Sequence, residues 1–342
     1  MIIGVNALYL IPGGVGGTEI YLRNLLAALA AIDSVNEYRI FTNRETTDLC
    51  PDAANFRAVP QAVNARNRPA RILWEQFRLP TAELDVLFNP GFTAPIVSRC
   101  RQVTVFHDLQ HVRHPEHFRW FDLPFWQFLL WVSAHRSEHL IAVSEATRED
   151  VLAHYGRESI VVPHGVEREF FELTRAPERY LLCVSTLHPH KGIEGLLRAF
   201  ADFRAQHPEF RLVLTGMKGF AADRIQSLAG DGVEITGWIP RAQLLELFRK
   251  AWAFVYPSTF EGFGMPVAEA LAAGVPVACS DIPPLREVAG ECAVYFPPGE
   301  PALEAICFDD VLRTRLEADG RRRAARFSWE SAARRTLEVL AS

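Results

Sequence analysis

The chain has 342 residues, 49% of them hydrophobic and 23% charged, with 21 glycines and 22 prolines. This excludes a disordered chain and leaves a globular protein of about two domains with cores to bury. A net charge of −5 argues against general nucleic-acid binding, which needs a basic excess, and no apolar run is long enough to cross a bilayer.

Met1-Ile-Ile-Gly-Val-Asn6 opens directly into a strand, without the charged start and cleavage site of a signal peptide. In the first half strands are expected at 2–5, 38–42, 86–88, 102–106, 140–143 and 160–162. The loop Pro12-Gly-Gly-Val-Gly-Gly-Thr18 follows the first strand and precedes a helix over 18–31 capped by Thr18. That is the context of a phosphate-approaching loop, although the spacing is not G-x-G-x-x-G. His107 and Asp108 follow the strand 102–106, where a polar pair points into the ligand crevice of a doubly wound sheet. His111, His114 and His117 lie close by, so a metal site is the rival reading. Their irregular spacing and the lack of a completing cysteine or carboxylate set speak against a tetrahedral shell, and no metal is expected. The aromatic stretch from Phe118 to Trp131 reads mainly as helix and core, with a wall for an acceptor or a membrane contact as the alternative. Ser144 reads first as a helix cap, with Thr147 where a capping box would place Glu.

A polar segment containing Pro177 then breaks the pattern. Domains are expected over 1–168 and 179–325, with a linker at 169–178 and a final helix, 326–342, packing back on the first domain. In the second half, strands are expected at 179–185, 211–215, 233–235, 253–256 and 275–279, with helices at 193–206, 241–250 and 266–273. Alternating strands and helices of this kind make parallel α/β sheets, so two Rossmann-like halves are expected, with ligand bound in a cleft at the carboxyl ends of the strands. Six scattered cysteines without a CxxC pair fit a reduced, cytoplasmic setting. Arg321-Arg-Arg323, near Glu317 and Asp319, reads as a solvated helix face.

The sharpest chemistry lies in Thr259-Phe-Glu-Gly-Phe-Gly-Met-Pro-Val-Ala-Glu269. Gly262 and Gly264 allow close backbone approach, and Pro266 suits a helix start. A strand, a glycine loop and a helix N-terminus together favour an anion such as phosphate. Glu261 and Glu269 bracket that loop, which suggests a ligand with hydroxyls on both sides of its phosphates: a nucleotide-sugar. Lys191, with His190 beside it, follows the first strand of the second half as a charge for a diphosphate. Gly216 marks a second glycine turn.

These residues resemble the retaining glycosyltransferases of the GT-B fold in family four, the group 1 glycosyl transferases, whose E-x7-E motif Glu261 and Glu269 match. The resemblance extends through Gly13–Thr18, His107-Asp108, Val143-Ser-Glu145, Pro163-His-Gly-Val166, Lys191-Gly192 and Gly237-Trp-Ile-Pro240 to Gly274-Val-Pro-Val277 and Asp281, nearly the whole chain. It implies catalytic roles for His107, Lys191 and Glu261. Glu261 and the amides of Phe263, Gly264 and Met265 would meet the donor sugar and diphosphate, and Glu269 the ribose. Lys191 would neutralise the leaving diphosphate, and Gly16 and Gly17 would close on the phosphates. Trp238 and Ile239 would face the base, with Ser144, His190 and Gly216 completing the donor site. His188 and His190 stand where the family usually has an arginine before the lysine, which would make charge stabilisation weaker or pH-dependent.

The implied activity is metal-independent transfer of a hexose, mannose by preference, from GDP-mannose or a UDP-sugar to a glycan or lipid-linked acceptor, without a separate cofactor. An epimerase on the same scaffold and a non-catalytic nucleotide-sugar binding protein are the alternatives. A cytoplasmic location, with peripheral association at the inner membrane face, completes the expectation.

Overall fold

A computed structural model describes residues 1–14 and 16–342; Val15, within the Pro12–Thr18 loop, lies outside the described residues. The chain divides into two compact units, Met1–Gly165 with Trp329–Ser342, and Val166–Ser328.

The first unit holds seven strands: β1 (Ile2–Asn6), β2 (Glu37–Thr42), β3 (Phe56–Pro60), β4 (Val86–Asn89), β5 (Arg101–Phe106), β6 (His139–Ala142) and β7 (Ile160–Val161). They form one parallel sheet in the order β3-β2-β1-β4-β5-β6-β7. Central strands are buried along nearly their whole length, β4 entirely, as expected where helices cover both faces. Helix Gly17–Ile32 starts one residue before the expected Thr18. Gly16 is its cap, at φ 60°, and no side chain caps it. The last helix, Trp329–Ala341, packs on Gly17–Ile32, burying Trp329 beside Tyr21 at a ring distance of 6.0 Å.

The second unit holds β8 (Tyr180–Val184), β9 (Arg211–Thr215), β10 (Val233–Gly237), β11 (Ala253–Tyr256), β12 (Val277–Ser280) and β13 (Val294–Phe296), parallel in the order β10-β9-β8-β11-β12-β13. This is the doubly wound 3-2-1-4-5-6 order, and the order of connection reverses between β8 and β11. In the first unit the same reversal falls between β1 and β4.

Two expectations are corrected. The segment 169–178 is not a free linker. Phe170 is fully buried against Phe248, and the amides of Ala176 and Glu178 bond to Arg249 and Lys250 carbonyls. Nor is Arg321–Arg323 a solvated face throughout: Arg322 is exposed and pairs with Asp319, but its neighbours turn inward. Arg321 donates to the carbonyls of Phe171, Leu173 and Ala273, and Arg323 to those of Glu287 and Val288. These are helix C-terminal carbonyls, which lack intrahelical donors and attract cations. Among the described residues no helix is long and apolar enough to cross a membrane.

Candidate active site

In the second unit, β8 and β11 are neighbours whose following helices diverge, so their C-terminal loops open a crevice. The two loops are stapled together. The carbonyl of His190 accepts the Thr259 amide at 2.7 Å and the Thr259 hydroxyl at 3.0 Å. Gly192 sits at φ 65°, and a Cβ there would stand 2.0 Å from the Pro257 carbonyl oxygen. Only glycine fits so close an approach in that conformation. The staple brings Lys191 Nζ to 2.7 Å from Glu261 Oε1, with side chains 15% and 11% exposed. Tyr256 lies behind them, its phenol pushed well above its ordinary range by burial and by Glu261.

The loop then enters helix Met265–Ala272 through Gly264, at φ 100°, where a Cβ would stand 2.5 Å from Leu285 Cδ2. The amides of Gly264 and Met265 lie at its positive end; Pro266 has no N–H, and the Val267 amide donates to the Gly264 carbonyl at 3.0 Å. Phe263 is buried, edge-on to Phe327 at 5.5 Å, which fixes the loop. Glu269, one turn in, is buried. Its Oε1 is 3.9 Å from Arg241 Nη1, and Arg241 is also engaged by Glu167 and by Glu169 at 3.3 Å. Burial raises the Glu269 pKa to about 8, with Arg241 opposing and Glu167 adding to the rise. The ends of β9 and β10 meet where the Gly216 amide donates to the Gly237 carbonyl at 3.0 Å. Trp238, 65% exposed, and half-buried Ile239 follow at once. The His190 ring stacks near His188 at 5.7 Å and stands edge-on to Phe260. Lys191, His190, Gly216, Trp238, Ile239, Glu261, Phe263, Gly264, Met265 and Glu269 therefore all belong to this one unit.

In the first unit, His107 follows β5, 7% exposed. Its Nε2 lies 2.8 Å from the Pro90 carbonyl. A carbonyl only accepts, so Nε2 carries the proton. The rings of Tyr21, Phe92 and His164 surround it at 4.8, 5.2 and 5.5 Å. Burial lowers its pKa to about 4, so it is neutral at pH 7. Gly16 leaves open space around its α-carbon, and Gly17 opens the helix. In the same loop the Gly13 amide donates to Glu19 Oε2 at 2.8 Å.

Beside these residues a pocket of about 550 Å³ opens at the ends of β1, β4 and β5. Phe92, at its wall, has a positive φ of 71°, and the adjoining Gly91 has no room for a Cβ against Tyr9. Arg68 and Arg71 enter the pocket from helix Arg68–Phe77. Sequence reasoning missed this helix and both arginines. The available signal was Asn67 followed by Pro69, and Asn67 Oδ1 indeed accepts the Ala70 amide at 3.2 Å.

Ser144 is buried, and its hydroxyl accepts the Thr147 amide at 3.0 Å, the helix cap expected of it. One further expectation is corrected. The aromatic stretch is not mainly core. Helix Leu123–Arg136 buries Leu129, Leu130, Val132 and Ser133, while Phe125, Phe128 and Trp131 stand 50–52% exposed and Trp120 is 83% exposed. The histidines also divide. His111 is buried with Nε2 2.7 Å from the Tyr155 hydroxyl. His114, Glu116 and His117 bring potential ligand atoms within 4.8 Å of one another near the surface.

Comparison with known proteins agrees with this geometry. The family model for glycosyltransferase family 4 matches residues 15–170, and the model for glycosyl transferases group 1 matches residues 166–315. The chain is 28% identical to O-antigen chain mannosyltransferase B of Escherichia coli, over 93% of this chain and 94% of that protein. It is 30% identical to O-antigen chain mannosyltransferase RfbU of Salmonella typhimurium, over 61% of this chain and 59% of that one. Among solved structures, sucrose-phosphate synthase from Thermosynechococcus elongatus superposes with a TM-score of 0.78 at 21% identity, covering 99% of this chain and 98% of that chain. With both halves matched and two Rossmann-like units in place, the chain belongs to the GT-B, group 1 glycosyltransferases of family 4.

Proposed function

We propose that the chain transfers a hexose, mannose in particular, from a nucleoside diphosphate-sugar to a glycan or lipid-linked acceptor, with retention of anomeric configuration. The observation that carries this reading is the Lys191–Glu261 pair held beside the start of helix Met265–Ala272. Lys191 and the helix amides compensate the charge growing on a departing diphosphate. Glu261 accepts hydrogen bonds from sugar hydroxyls, and Glu269 from the ribose. Neutral His107 offers a polar edge at the reacting carbon. Glu261 is tied to Lys191, which blunts it as a nucleophile, so front-face displacement is the favoured route to retention. Charge compensation by lysine and amides supports a reaction that needs no metal. The preference for mannose rests on the names of the relatives.

The exposed stripe Phe125, Phe128 and Trp131, with Trp120 and Phe121 before it and the exposed Arg119 and Arg136 at its ends, supports peripheral seating on a bilayer. Aromatic rings favour the membrane interface and arginines its anionic headgroups.

The test is a donor panel of GDP- and UDP-hexoses assayed with and without glycan acceptors, with product anomers read by NMR and EDTA as a parallel condition. An α-linked mannoside formed from GDP-α-mannose, undiminished by EDTA, is the expected product. Sugar isomerised without acceptor, or tight binding with no turnover, would replace this reading.

A further inference from the structure

We propose that the first-unit pocket at the ends of β1, β4 and β5 binds an oxyanion of the acceptor, a phosphate or carboxylate, through Arg71 and Arg68. The inference rests on the glycosyltransferase reading and gives its acceptor a chemical class.

Arg71 is 8% exposed and lines the pocket, and its Nε is enclosed without a hydrogen-bond partner. Among the described residues its guanidinium makes no hydrogen bond or ion pair. Glu75, one turn on, is turned elsewhere: its Oε2 accepts the Thr93 hydroxyl at 3.1 Å and its Oε1 the Gln76 amide at 3.3 Å. A buried cation without hydrogen-bonded compensation is costly. Arg68 lines the same pocket, its Cζ 3.8 Å above the Trp126 ring. Stacking fixes the plane of that guanidinium and leaves its edge for a ligand. Burial, with repulsion from Arg71 adding to it and Asp122 opposing, lowers the Arg68 pKa to about 10. An anion between them would relieve both the repulsion and the unmet donors.

The rest of the wall is consistent with a sugar carrying such a group. Tyr9, Phe92 and Phe118 supply apolar faces. Asp108 also lines the pocket, but its Oδ1 accepts the Gln110 amide at 2.9 Å. His111 is held neutral by burial, its pKa lowered to about 4. A neutral glycan would need the aromatic faces but not two guanidiniums. Bidentate pairing of planar guanidinium with phosphate or carboxylate is the recognition for which arginine is suited.

The test is calorimetric binding without donor, in the Lys191→Ala background so that the second unit contributes little phosphate affinity. Mannose 1-phosphate is compared with methyl mannoside. The expected preference for the phosphate is about tenfold or more, falling to roughly threefold or less in Arg71→Gln and in Arg68→Gln. No preference, or a preference that survives both substitutions, overturns the proposal and leaves Arg71 as a distant counter-ion to Glu75. Should Arg71→Gln fail to fold, Arg68→Gln decides alone. Dodecyl phosphate in phosphatidylcholine vesicles separates the sources: arginine-dependent capture there in addition to binding of mannose 1-phosphate assigns the anion to a lipid-borne phosphate, and binding of the soluble compound alone assigns it to a free sugar phosphate. Nucleotide-sugar turnover is measured separately in the unsubstituted protein. Transfer without phosphate preference sinks this proposal alone, and phosphate preference without nucleotide-sugar binding sinks the transferase reading.

Discussion

The two units carry the same strand order around the same switch point, yet they dress it with opposite chemistry. At the ends of β8 and β11 the charged groups are already paired: Lys191 with Glu261 at 2.7 Å, and Arg241 shared among Glu167, Glu169 and Glu269. At the ends of β1, β4 and β5 the histidines are neutral, and Arg71, with Glu75 as its nearest counter-charge, makes no hydrogen bond or ion pair among the described residues. A site that must receive a diphosphate and release it gains from an internal counter-ion, because Lys191 is never left bare when the ligand departs. A site that keeps an unmatched cation waits for its anion. On the proposed reading, charge pairing is one difference between the donor-side unit and the acceptor-side unit.

The largest effect that would break this contrast is at Lys191. Lys191→Ala removes the cation at the leaving diphosphate and strands Glu261. We expect kcat/KM to fall by roughly 10²–10³-fold, with Lys191→Arg recovering part of it. Steady-state kinetics with saturating acceptor check this, and a loss below about fivefold would place the charge compensation elsewhere.

Glu269 sharpens the contrast from the stability side. Its folded pKa of about 8 lies above the ordinary 4.5. The folded chain therefore holds a proton that the unfolded chain releases between those values, and stability falls as pH rises through that window. Glu269→Gln cannot ionise. It should be more stable than the parent by on the order of 4 kcal/mol at pH 8, with the difference vanishing below pH 4.5. The same variant should bind nucleoside diphosphates more weakly. Urea melts at pH 4.5, 6 and 8 measure the first effect, and equal pH slopes for the two proteins would contradict it.

The contrast also explains what could be read from the chain. The donor-side groups sit in two short segments, Ser185–Gly192 and Thr259–Glu269, each directly after a strand, so local spacing exposed them. The strands followed from apolar runs, apart from β3 and β13, which are only partly buried. The first-unit pocket is assembled from residues between Tyr9 and Leu130, and no local motif announces Arg68 or Arg71. Ser144 was legible as a helix cap from its position directly after a strand. The aromatic stretch misled because residue type reports hydrophobicity, not which face of a helix lacks a neighbour.

That unpartnered face gives the next prediction. Replacing Phe125, Phe128 and Trp131 together by serine should lower partitioning onto anionic vesicles by about tenfold or more, since each ring withdrawn from the interface forfeits apolar burial. Sedimentation with vesicles of 30% phosphatidylglycerol (roughly the anionic content needed to engage flanking arginines) measures it. Turnover of a soluble acceptor should be unchanged, because these side chains point away from the residues that line the pocket. Unaltered partitioning would assign the stripe to another contact.

The smallest expected effect is the most discriminating for the neutral side of the comparison. Burial lowers the His107 pKa to about 4, and its proton is committed to the Pro90 carbonyl. From pH 5.5 to 8 the ring should stay neutral, so it contributes no titration near its ordinary 6.5. Any limb in kcat/KM across that range must then come from a group other than His107. His107→Gln can keep a donor toward Pro90 while removing the imidazole; the expected result is a lowered rate with an unchanged pH profile. If the parent shows a limb near 6.5 that His107→Gln abolishes, the imidazole gains and loses a proton during turnover. The first-unit site would then be one whose charge changes during turnover.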